Sequence, residues 1–126
     1  SGTIQVASST EAIEGTNVTI NGGSLDLYAT DDGINASSDV TGADIFIKVT
    51  GGDIKLEVGQ GDTDALDSNG DLIVSGGSLD ITAQFAFDFD GTVEYSGGNL
   101  TVNGETVTEI TNSMMMGDGG GRPGDR

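Results

Sequence analysis

At 126 residues the chain has room for one core, and 22 Gly with a single Pro among alternating strand formers exclude helix as the main element. Twenty-one Asp and Glu against four Lys and Arg leave a net charge of −17, which repels phosphate backbones and excludes nucleic acid as a partner. With no His and no Cys, zinc and iron sites of the usual kinds are excluded, and only hard oxygen ligands remain for a metal.

In chain order, Ile4 and Val6 open the pattern, 21 residues ahead of Leu25 and Leu27, and read as a partial coil. A first full coil follows: EAIEG (11–15), VTINGG (18–23) and SLDLYA (24–29). The same three elements recur as DGINA (32–36), IKVTGG (47–52) and DIKLEV (53–58). A third copy reads DALDS (64–68), LIVSGG (72–77) and SLDITA (78–83), and a fourth reads FAFDF (85–89), VEYSGG (93–98) and NLTVNG (99–104). Registering the first elements gives steps of 21, 32 and 21 residues, the long step carrying extra loop at ASSDVTGA (36–43) and GQGDT (59–63).

Under this register five columns are apolar in every copy: Ile13/Ile34/Leu66/Phe87, Val18/Ile47/Leu72/Val93, Ile20/Val49/Val74/Tyr95, Leu25/Ile54/Leu79/Leu100 and Leu27/Leu56/Ile81/Val102. In the two longer elements the apolar positions are two apart, the period of a strand with one face buried. A repeat of three strands joined by turns predicts an all-β, right-handed, three-sided parallel β-helix of about four coils of 21 to 32 residues. It spans residues 1–112, and a Met/Gly-rich tail occupies 113–126. The four Gly pairs mark corners that need positive φ and close approach of neighbouring coils.

Equivalent residues of stacked coils lie about 4.8 Å apart, so like charges in one column repel. Lys55 relieves this between Asp26 and Asp80, and Lys48 lies between Thr19 and Ile73. The first element has no such relief. Glu11, Asp32 and Asp64 form one ladder, Glu14, Asn35, Asp67 and Asp88 a second, with Asp31, Asp62 and Asp90 beside them. Calcium takes six to eight oxygens at about 2.3 to 2.6 Å, which two adjacent coils can supply. Three sites are expected: Glu11, Glu14, Asp32 and Asn35; Asp32, Asn35, Asp64 and Asp67; and Asp64, Asp67, Asp88 and Asp90. Phe85 replaces the first acid in the fourth copy.

The pairing of DDGINAS (31–37) and DALDSNG (64–70) with VSGGSLDI (74–81) resembles a bacterial family of calcium-binding carbohydrate-binding domains with a pectate-lyase-like parallel β-helix. The resemblance implies a secreted or cell-surface, non-catalytic protein that binds cellulose-like or polygalacturonate chains. Members usually have more coils, and a helix this short leaves two open ends.

An enzyme of this fold needs a Lys or Arg base beside its calcium, yet Lys48 and Lys55 are accounted for by strand columns and Arg122 and Arg126 fall in the Gly-rich tail. No catalysis is expected. Polysaccharide is the expected partner, and no residue is singled out as its contact, although Tyr28, Phe46, Phe85 and Phe89 are not obviously core. The alternative is a structural subunit of a calcium-stabilised extracellular filament, copies stacking end to end with Met114, Met115, Met116, Arg122 and Arg126 as anchors. No apolar run reaches membrane-spanning length, so no membrane insertion is expected. Ser1 reads as the mature or trimmed terminus of a secreted protein.

Overall fold

Alternating side chains turn each repeat into three short strands whose apolar face points inward. The structure, a computed structural model, describes residues 2–59 and 63–111. In chain order the strands are β1 (Thr3–Val6), β2 (Ile13–Gly15), β3 (Asn17–Ile20), β4 (Ser24–Ala29), β5 (Ile34–Ala36), β6 (Phe46–Val49) and β7 (Asp53–Val58). They continue as β8 (Asp64–Ser68), β9 (Asp71–Val74), β10 (Ser78–Thr82), β11 (Phe85–Phe89), β12 (Val93–Tyr95), β13 (Asn99–Val102) and β14 (Glu105–Thr106). Every third strand stacks on the last, giving three walls: β1-β4-β7-β10-β13-β14, β2-β5-β8-β11 and β3-β6-β9-β12. All pairings are parallel except β13 with β14. The fold is a β-solenoid of about four turns.

All five apolar columns pair as the repeat predicts, from Ile13↔Ile34 in the second wall to Ile81↔Val102 in the first. Their middle members Ile34, Ile47, Val49, Leu66, Leu72, Val74 and Ile81 are fully buried. Each such side chain contributes about 1.5 to 3 kcal/mol relative to its exposed state. The partial coil is also in register, with Ile4↔Leu25 and Val6↔Leu27. The extra loops fall at corners, between β5 and β6 and between β7 and β8, so neither disturbs a column. The second glycine of each pair has positive φ, from 89° at Gly77 to 101° at Gly52; Gly52, Gly77 and Gly98 lie against the glycine pair of the coil before, and Gly23 against Gly2.

The two ends differ. At the amino-terminal end Ile4 is 51 % exposed, with Leu25 stacked on one side of it and no described strand on the other. At the other end Asn103 (φ 53°) and Gly104 (φ 85°) reverse the chain, so that β14 lies antiparallel on β13. This is the Asn-Gly hairpin turn, both of whose central residues need positive φ. The Asn103 amide nitrogen donates to the Ala83 carbonyl at 2.8 Å, and its Oδ1 accepts from the Ala83 N–H at 3.0 Å. Ile110 then packs into the core. The carboxy-terminal edge of the first wall is therefore covered, where the short repeat alone predicts an open one. Among the described residues no helix is long and apolar enough to cross a membrane.

Candidate metal centre

The corner between the first and second walls carries the acidic residues. The chain leaves β4 at Ala29, turns through Thr30, Asp31, Asp32 and Gly33, and enters β5 at Ile34. Gly33 is buried in this corner, and a Cβ there would lie 2.6 Å from the Ala65 carbonyl oxygen and 2.7 Å from Leu56 Cδ1. Only glycine lets the two coils close at this point. The Gly33 N–H donates to the Asp64 carbonyl and the Asp64 N–H donates to Asp32 Oδ1, both at 2.9 Å. These bonds bring Asp32 from one coil against Asp64 from the next.

Asp67 follows on β8, in register with Asn35 below and Asp88 above. One carboxylate oxygen from each of Asp32, Asp64 and Asp67 lies within 4.8 Å of the others, and among the described residues no other three acidic side chains meet so closely. Asp64 is nine-tenths buried and the other two are half-buried. Two oxygens bound to one calcium ion can be no more than about 5 Å apart, so the spacing fits a single ion. The cluster of three acidic side chains can hold a metal ion.

The electrostatics agree. Burial pushes the Asp67 carboxyl up to about 8, helped by a hydrogen bond to Asp32 and by the charges of Asp32, Asp88 and Asp64. Burial, with Asp90 and Asp32, also raises Asp88. Glu11 is raised by partial burial, by Glu14, by a hydrogen bond shared with Asp31 and by the charges of Asp31 and Asp32. A group of carboxyls that retains a proton at neutral pH is one a cation would relieve.

Of the three predicted sets, the middle one is assembled most tightly. Glu11 and Asp31 are half-buried in turns and Glu14 is exposed on β2, while Asp88 is half-buried on β11 and Asp90 exposed beyond it. Asn35 is half-buried beside Glu14 and Asp67 in its column. Asp62 lies outside the described residues, as do Met114, Met115, Met116, Arg122 and Arg126. Gly33 is the one residue of the site that charge and spacing did not single out; its signal was the Asp-Gly step leading into a buried strand.

The lysines are held elsewhere. Lys55 points outward from the first wall with Asp26 and Asp80 as its register partners, and Lys48 from the third with Thr19 and Ile73. Neither belongs to the wall that carries Asp67.

Residues 1–116 match the model of a family described as carbohydrate-binding domain-containing protein. No curated protein and no solved structure matches the chain.

Proposed function

The chain belongs to this family of carbohydrate-binding domain-containing proteins, and from that premise we propose that it is a non-catalytic, calcium-binding module of the cell surface or extracellular space that binds acidic or cell-wall polysaccharide, the acidic chains through the metal. The observation that carries the calcium assignment is the meeting of Asp32, Asp64 and Asp67, in a chain with no His or Cys to compete as ligand. Asp32, Asp64 and Asp67 would hold the ion, with Asn35 as a neighbouring amide oxygen in register. Bound calcium would cancel local charge and offer an open coordination position to a uronate. Extracellular modules bind calcium at about 0.1 to 1 mM, a range that suits a solvent-accessible corner.

The absence of catalysis is supported by the placement of Lys48 and Lys55 on walls other than the acidic one, which leaves the cluster without a described amine to act as base. End-to-end stacking of copies finds less support, because β14 occupies the edge of the first wall that a following coil would use.

Titration calorimetry with calcium, and then with polygalacturonate in calcium or in chelator, tests this reading. Saturable calcium heat that Asp64→Asn abolishes is the expected result. A calcium-free protein that binds the glycan equally well would overturn the calcium dependence.

A further inference from the structure

The three walls present unlike faces to solvent. On the first, the outward positions include Asp26, Asp53, Glu57 and Asp80 around a single Lys55. On the second they carry the ladder of Glu14, Asn35, Asp67 and Asp88. The third differs in kind: over its first three coils Thr19, Lys48 and Ile73 form one outward column, and Asn17, Phe46 and Asp71 another. Its described outward carboxylates are two: Asp71, which already accepts from the Thr92 N–H at 2.8 Å and the Thr92 hydroxyl at 3.1 Å, and Glu94, which ends the Lys48 column beside Ile73. In a chain of net charge −17 this is the face nearest to neutral.

Two outward residues of this wall are apolar without being needed by the core. Phe46 and Ile73 are half-buried diagonal neighbours on the outer side of β6 and β9, whereas the core beneath them is closed by Ile47, Val49, Leu72 and Val74, all at 0 % exposure. An aromatic ring beside an aliphatic side chain, bordered by Thr and Asn groups, is the composition that recognises a sugar ring: apolar C–H faces above, hydroxyls at the rim. Strands spaced about 4.8 Å apart set these groups out at intervals comparable to the sugar rings of an extended chain.

We propose that the outer face of the third wall, centred on Phe46, Lys48 and Ile73, is a contact surface for an extended neutral glycan and works independently of calcium. The proposal rests on the polysaccharide-binding reading above and adds to it a second surface of different chemistry. A polyanion is repelled from the chain as a whole and needs the metal corner. A neutral chain is not repelled, and it finds on this wall an aromatic and an aliphatic group among fewer carboxylates than the outward positions of the first or second wall carry.

Affinity electrophoresis of the full chain in hydroxyethylcellulose, and separately in polygalacturonate, each with calcium and with chelator, tests the assignment. The wild type should be retarded by hydroxyethylcellulose equally in calcium and in chelator. Phe46→Ala and Ile73→Thr should each weaken that retardation about tenfold, as truncation of a central contact does. Asp80→Asn, on the first wall, should leave it unchanged, and unchanged melting curves for all three variants would show that folding is intact. Affinity for hydroxyethylcellulose retained within about twofold in both third-wall variants, or lost in chelator, would overturn the proposal. Retardation by polygalacturonate with calcium but none by the neutral glycan would sink this face while leaving the polysaccharide reading standing. No retardation by either would remove both.

Discussion

The backbone N–H of Asp64 donates to Oδ1 of Asp32 at 2.9 Å, across a step of 32 residues. This bond occupies one acceptor site of the Asp32 carboxylate and leaves the rest of its lone pairs for another partner. It also ties the two coils together at the point where their negative charges are closest. Any ion bound here would therefore be coupled to the stacking of the coils.

Calcium should accordingly raise the melting temperature, with stabilisation of about 2.7 kcal/mol at a hundredfold excess over Kd. Asp67→Asn should remove most of this response while making the calcium-free protein more stable, because a neutral amide ends the repulsion. Thermal melts of both proteins in calcium and in chelator check the pair of effects. A variant that keeps the full calcium shift would show that the ion binds elsewhere.

Without calcium, stability should fall as pH rises. The Asp67 carboxyl is raised from 3.8 to about 8, so the folded state holds this proton more tightly than the unfolded chain does. The stabilisation is complete below about pH 4 and is lost progressively up to about pH 8. Asp88 and Glu11, both raised, add to the same slope. Urea midpoints in calcium-free buffer at pH 5 and pH 8 measure it, and a higher midpoint at pH 8 would contradict it.

Calcium binding at pH 7 should release about one proton, since the ion must displace the one that Asp67 retains. Calorimetry in two buffers of different ionisation enthalpy reads this directly. Identical heats in the two buffers would mean that Asp67 is already ionised.

Gly33→Ala should cost about 1 to 3 kcal/mol, the range for overpacking a closed site, because its methyl would press on the Ala65 carbonyl and Leu56. The calcium response should weaken as well, since the same corner positions Asp32. Chemical denaturation with and without calcium measures both effects, and wild-type values in each would show that the corner yields freely.

The walls were legible in the sequence because strand register is stringent: a slip of one residue would have put Ile47, Leu72 and their neighbours on the outside. The corner was legible only in part. Matching positions in successive copies of the repeat suggested three sites, but convergence of side chains depends on the turn backbone. Only between Asp32 and Asp64 does a buried glycine draw the coils together with an aspartate on each side. The first coil has the longer Glu11 at that position, and the fourth has Phe85. Asn103-Gly104 was a readable hairpin signal that the repeat obscured, since both residues also complete the fourth copy of the pattern.

A parallel ladder has no inherent length, because each edge strand is a template for the next. In the first wall that propagation is ended by two residues of left-handed backbone, which send β14 back along β13 and place the Asn103 side chain against Ala83, where the main chain of a further coil would have hydrogen-bonded. This wall therefore has a direction: a strand can still be added beside β1, but not beyond β13 without displacing β14.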